Sequence, residues 1–148
     1  MSEAFRVEMR TVDGGPAALG TAGPWTLVAD RPAEGGGAGI GFNGGQLLNL
    51  AVAACVSNDL YREAALRDLT LTAVRVRVDS DYGGDPATSS GIVYDVELEG
   101  NASEEALAEL LDHVDRIAEI PNSLRHATTV ALGRRSVRGR PGEAVADH

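Results

Sequence analysis

The apolar positions change their period several times along the chain, and each change marks an element. Phe5, Val7 and Met9 alternate with Arg6, Glu8 and Arg10, the period-two pattern of a half-buried strand over residues 5–12. "DGGPAALGTAGP" then supplies turn residues, "WTLVA" reads as a second short strand, and "DRPAEGGGAGIGFNGG" is a glycine-rich connection too long for a hairpin turn. From Gln46 to about Leu66 the apolar side chains run nearly all the way round, through Leu47, Leu48, Leu50, Val52 and Val56, before polarity returns at Asn58, Asp59, Arg62 and Glu63. A helix apolar on every side is expected to be buried on every side.

Period two returns in "LTLTAVRVRVDSD", where Val74, Val76 and Val78 alternate with Arg75 and Arg77. After a "YGGDPATSSG" loop it continues in "IVYDVELEG", where Ile92, Tyr94, Val96 and Leu98 share a face. This is the signature of an antiparallel pair with one wet side. A second helix opens at Asn101 or Ser103, with Glu104 and Glu105 in its first turn and Leu107, Leu110, Leu111, Val114 and Ile117 at amphipathic spacing, and Pro121 is expected to end it. "NSLRHA" suits a further short turn of helix, "TTVALG" a closing strand, and "RGRPGEAVADH" a disordered tail. The order predicts an α+β domain, helices against a curved antiparallel sheet.

Composition narrows the functions. A chain of 148 residues, 43% hydrophobic, suits one compact domain or one that completes its core by dimerising. The net charge of -9 argues against nucleic acid or an anionic membrane as main partner. The basic cluster of Arg134, Arg135, Arg138 and Arg140 reads as a solvated strand end or tail. One cysteine cannot make an intrachain disulfide, "MSEAFRVEMR" lacks the apolar segment of a signal peptide, and no apolar run would span a bilayer, so a cytoplasmic protein is expected. His113, His126 and His148 lack metal-ligand spacing, and "GGGAGIGFNGG" lacks the lysine and hydroxyl ending of a phosphate loop, so neither a metal nor a cofactor is expected.

What chemistry remains turns on Cys55, in "GFNGGQLLNLAVAACVSNDL". A free cysteine inside a buried helix packs well as a small apolar side chain, and only a thiolate is a nucleophile. Cys55 lies too far into its helix for the N-terminal dipole to activate it, and Asp59, one turn on, would oppose ionisation unless paired with a cation or turned away. Activation would have to come from another segment. Trp25, Phe42 and Tyr61 are candidates for an apolar pocket beside the thiol, or for core and interface.

The run "GGGAGIGFNGGQLLNLAVAACVSNDL", followed by paired strands and "ALAELLDHVDRIAEIPNSLRHATTVALG", resembles the OsmC/Ohr family of osmotically inducible and organic hydroperoxide resistance proteins over residues 5–133. The resemblance implies an OsmC-like fold, a curved antiparallel sheet on a long buried central helix, in an intertwined homodimer with sites built from both subunits. It implies a single domain over residues 1–133, with residues 134–148 as strand end and tail. It also places Cys55 where the family keeps its peroxide-attacking thiol. Other family positions differ. Ile120 stands where a resolving cysteine would precede Pro-x-Ser, Gly45 where the helix entry carries glutamate, and Pro16 where an arginine follows a glycine pair.

Arg31, which opens the glycine-rich loop, and Arg125, which follows the Ile120–Ser123 segment, are the candidate cations for a Cys55 thiolate. The function expected from the resemblance is reduction of organic hydroperoxides by a single cysteine that an external thiol regenerates. The alternative is a non-enzymatic dimer of this fold that binds a small apolar ligand, with Cys55 as packing.

Overall fold

A computed structural model of the chain describes residues 4–140. Three strands open it: β1 (Glu8–Thr11), β2 (Ala18–Ala22) and β3 (Trp25–Ala29), an antiparallel meander in that order. β2 lies within the stretch expected to be only turn. Its sequence, ALGTA, has too few large side chains to show alternation, yet it pairs on both sides, Gly20 facing Met9 and Leu27. The small residue is what makes room there, since a Cβ on Gly20 would come within 3.1 Å of Met9 Cε and 3.3 Å of Leu27 Cδ1. β1 is shorter than the expected strand and exposed on both faces in the single chain.

The glycine-rich connection is ordered by one buried carboxylate. Asp30 accepts the backbone N–H groups of Arg31 at 2.7 Å, Ala38 at 3.0 Å and Ile40 at 3.2 Å. Burial alone would raise its pKa, but donation from the Ile40, Arg31, Ala38 and Gly39 amides outweighs it and holds the carboxyl below the usual range. The loop folds so tightly that a Cβ on Gly37 would lie 2.0 Å from the Arg31 carbonyl oxygen. A parallel bridge from Phe42 to Ala29 then returns the chain to the edge of β3.

Helix α1 (Gly44–Leu66) begins ahead of Gln46 because Asn43 caps it. Asn43 Oδ1 accepts Gln46 N at 2.9 Å and Gln46 Oε1 accepts Asn43 N at 3.0 Å, a reciprocal box that satisfies amides the helix itself cannot. The expectation of burial on every side is not met within one chain. Val52, Val56, Leu60 and Ala64 are buried, whereas Leu50, Ala54 and Tyr61 form an exposed stripe.

Strands β4 (Leu71–Gly83) and β5 (Thr88–Gly100) form a separate two-stranded sheet, so the expected single curved sheet resolves into two. Its strands run on through most of the expected "YGGDPATSSG" loop, because Tyr82 and Gly83 pair with Ser89 and Thr88 and only residues 84–87 turn. The register sets Val74, Val76 and Val78 against Leu98, Val96 and Tyr94 on the core face, as the alternation requires, and Arg75 and Arg77 against Glu97 and Asp95 on the wet face.

Helix α2 (Glu104–Ile117), capped by Ser103, stops at Ala118 rather than at Pro121. Ala118 is extended, and Pro121 falls in the first turn of α3 (Glu119–Arg125), where a missing N–H costs nothing. The core joins Val56, Leu60 and Ala64 of α1 to Leu71, Leu110, Val114 and Ala118. α1 therefore packs on β4–β5 and α2, while the β1–β3 meander meets the rest of the chain only at its margin. The expected closing strand over Thr128–Gly133 has no regular structure, since no described strand of the chain pairs with it, and Val130 is 93% exposed. Residues 134–140 likewise form no element, and the rest of the expected tail lies outside the described residues.

Candidate functional site

Leu48, Val52, Cys55 and Asp59 recur at helical spacing and make one stripe along α1. Cys55 is half-buried and packs against the core that α1 shares with α2. Its sulfur lies 4.0 Å from Asp59 Oδ2, the one side-chain hydrogen-bond partner of the thiol among the described residues. The other carboxylate oxygen, Oδ1, pairs with Arg62 Nη1 at 2.9 Å. Asp59 is thus both paired and turned toward the thiol.

One residue beyond Arg62, the buried Glu63 gathers three donors. Arg67 Nη1 lies at 2.9 Å, Arg62 Nε at 3.3 Å and His113 Nε2, from α2, at 3.0 Å. The Arg67 hydrogen bond, with lesser help from Arg62 and His113, holds the Glu63 carboxyl below its ordinary pKa in spite of burial. The spacing of Asp59, Arg62, Glu63 and Arg67 along one helix signals such pairing in the sequence; the arrival of His113 from α2 has no sequence signal.

Toward the N-terminal half of the stripe, Leu48 and Val52 line a cavity of about 360 Å³ closed by β5 and α3. Pro121 and Leu124 extend its apolar wall, and Tyr94 and Arg125 supply its polar edge. Arg125 is latched in place: Nη2 lies 2.6 Å from Asp115 Oδ1, and Nη1 lies 2.8 Å from the Asp115 carbonyl oxygen and 3.0 Å from Asn122 Oδ1. The Tyr94 hydroxyl donates to the same carboxylate oxygen. That hydrogen bond, with the one from Arg125, lowers the Asp115 pKa, while burial and the carboxylate push the Tyr94 hydroxyl up to about 12.

Of the expected site residues, Cys55 packs against the core that α1 shares with α2, while Arg125 lines the cavity that begins at Leu48 and Val52, and no hydrogen bond joins the two among the described residues. Arg31 lies elsewhere, exposed on the glycine-rich loop with its guanidinium beside Gly35. Trp25, Phe42 and Tyr61 do not gather beside the thiol. Trp25 borders a groove with Val7, Met9 and Leu27, Phe42 borders another with Leu50 and Val76, and Tyr61 lies on the exposed stripe of α1. No group of His, Cys, Asp or Glu among the described residues could hold a metal ion.

The model of the OsmC-like protein family matches residues 35–133, from the glycine-rich loop through α3. The chain belongs to the OsmC-like family. Solved OsmC-like folds superpose over most of its length. The OsmC-like protein of Mycoplasma pneumoniae has a TM-score of 0.74 at 18% identity, over 84% of this chain and 89% of that one. The organic hydroperoxide resistance protein OhrB of Bacillus subtilis has 0.60 at 20% identity, over 83% and 91%. An organic hydroperoxide resistance protein OsmC from Legionella pneumophila has 0.57 at 19% identity, over 83% and 90%. No curated protein matches the sequence. At these identities the likeness establishes the OsmC-like fold. Among the described residues no helix is long and apolar enough to cross a membrane.

Proposed function

We propose that this OsmC-like protein reduces organic hydroperoxides through Cys55. The supporting observation is the placement of the chain's one cysteine, half-buried on the helix the family match covers, one turn from the Val52 wall of an apolar cavity. In the reaction the Cys55 thiolate attacks the terminal peroxide oxygen and the O–O bond breaks. The sulfur becomes a sulfenic acid, and the departing alkoxide takes a proton to leave as an alcohol. With Ile120 at the family's second-cysteine position, regeneration falls to an external thiol. One equivalent forms a mixed disulfide and releases water; a second reduces that disulfide and restores Cys55. A reducing, cytoplasmic setting goes with this reading.

Arg31 and Arg125 remain the proposed cations for the thiolate. Arg125 would act from the cavity edge, where Asp115 orients it, and Arg31 would arrive from a second copy of the chain. A homodimer is part of the reading because the single chain leaves Val7, Trp25, Leu50, Val93 and Val130 exposed, Trp25 at 76%. Sedimentation at micromolar concentration is expected to give a dimer.

The test of function is cumene hydroperoxide consumption by the full chain with dithiothreitol as reductant. Turnover that Cys55→Ser abolishes supports the reading, and no Cys55-dependent turnover overturns it. Arg31→Met or Arg125→Met is expected to slow the reaction about tenfold, the effect of losing one favourable charge at a thiolate. A second reading, an OsmC-like dimer that binds a small apolar ligand, draws on the cavity itself, whose wall includes Val52 but not Cys55. Saturable binding of an apolar fluorophore that survives Cys55→Ser, without peroxide turnover, would favour it.

A further inference from the structure

The cavity between α1, β5 and α3 has one charged residue in its lining among the described residues, Arg125, and that charge is already answered. Asp115 stands outside the lining and holds the guanidinium through its carboxylate and its backbone carbonyl, with Asn122 beside it. Tyr94, which does line the cavity, donates its hydroxyl proton to the same carboxylate oxygen. The rest of the polar lining, Ser89 and Ser90, is uncharged, and Leu48, Val52, Ile92 and Leu124 are apolar. We propose that this cavity is a site for an uncharged apolar molecule carrying a hydrogen-bond-accepting oxygen, and that Asp115 sets the preference by holding the charge of Arg125. The proposal deepens the proposed function and rests on its premise that this cavity takes the organic part of the substrate or ligand.

An anion entering the cavity must give up water and find a counter-charge there. At Arg125 it would have to displace the Asp115 carboxylate or lie beside it. A neutral oxygen needs only a donor. Arg125 commits three N–H groups to Asp115 and Asn122, and a guanidinium has others to offer. Asp115 thus acts through Arg125 by what it denies to an anion, the repulsive half of specificity. The ion pair is nearly half exposed, so water screens it and the preference is graded rather than absolute. The volume, about 360 Å³, lies at the small end of ligand pockets and limits the occupant to a compact molecule.

The test is fluorescence titration of the full chain with two probes of one skeleton, neutral phenylnaphthylamine and anionic anilinonaphthalene sulfonate. The parent chain is expected to bind the neutral probe saturably and more tightly than the sulfonate. Asp115→Asn, which keeps the shape and removes the charge, is expected to shift the ratio of affinities about fivefold toward the sulfonate. Asp115→Glu, which keeps the charge, should hold the parent ratio, whereas a merely structural loss would weaken both probes alike. No saturable binding of the neutral probe, a parent that prefers the sulfonate, or a ratio unmoved by Asp115→Asn overturns the assignment. So does binding that Leu124→Trp, which fills the cavity, leaves unchanged, or a shift that Asp115→Glu shares. If Asp115→Asn fails to fold by circular dichroism, Arg125→Gln decides. It leaves the carboxylate alone at the cavity edge, so a further loss of sulfonate relative to the neutral probe supports the assignment, and an equal or improved sulfonate overturns it. Cumene hydroperoxide consumption is followed in parallel. Cys55-dependent turnover with an unmoved ratio sinks this inference and leaves the reductase reading standing; a moved ratio without turnover does the reverse.

Discussion

The Arg125 guanidinium rests on Asp115 through both its side chain and its backbone carbonyl, with Nη2 2.6 Å from Oδ1 and Nη1 2.8 Å from the carbonyl oxygen. The contact ties the end of α3 to the last turns of α2, and Tyr94 ties both to β5. Arg125→Met is therefore expected to lower stability by about 1–2 kcal/mol, a discounted figure because the pair is nearly half exposed. Urea denaturation of the variant beside the parent chain measures it. Tyr94→Phe, which removes one donor and leaves the ion pair, is expected to cost about 1 kcal/mol.

The same trio gives stability one alkaline dependence. The Tyr94 hydroxyl, pushed up to about 12, keeps its proton in the folded chain where an unfolded tyrosine at about 10 has lost it. The folded state then binds more protons, so this contribution is intact below about pH 10 and is lost as pH rises toward about 12. Urea midpoints measured across that range should fall more steeply for the parent than for Tyr94→Phe.

On the acid side the sign reverses. Asp115, Glu63 and Asp30 all have lowered pKa values, so each stabilises the fold above the ordinary carboxylate range and loses that contribution as the groups protonate. Midpoints are expected to fall on going below about pH 4. Glu63→Gln should flatten the descent.

Leu60 of α1 is fully buried in the core that α1 shares with α2. Leu60→Ala is expected to cost about 3 kcal/mol in lost transfer energy and cavity, against a small effect for Leu66→Ala at the exposed end of the same helix. Thermal unfolding of the pair distinguishes them.

Gly37→Ala tests the loop. The added Cβ would lie 2.0 Å from the Arg31 carbonyl oxygen and 2.7 Å from Asp30 Oδ1, so the backbone must move and Asp30 must give up amide donors. The expected loss is about 2–3 kcal/mol, and hydrogen exchange at Ala38 and Ile40 should accelerate.

Where side chains alternate strongly, as in Val74, Val76 and Val78 opposite Tyr94, Val96 and Leu98, the strands and their inner face were legible in the sequence, and so were α1 and α2. β2 was not, because ALGTA contains one large apolar residue and is held by pairing on both edges rather than by its own pattern. The end of α2 is hidden for a different reason: Pro121, a stop signal in sequence, stands equally well in the first turn of a new helix. At the site, the approach of Asp59 to Cys55 could be read from their spacing. The Tyr94–Asp115–Arg125 latch could not, since it joins three elements far apart in sequence.

The meander of β1–β3 joins the remainder through the Ala29–Phe42 bridge and the loop that Asp30 organises, and it lays no broad apolar face on its own core. Its persistence should therefore depend on how much protein is present. With the dimer proposed above, protease is expected to clip the segment from β1 to the glycine-rich loop in dilute solution while the α1–β4–β5–α2 body survives, and a higher concentration to protect it, so that survival of this segment becomes a readout of assembly.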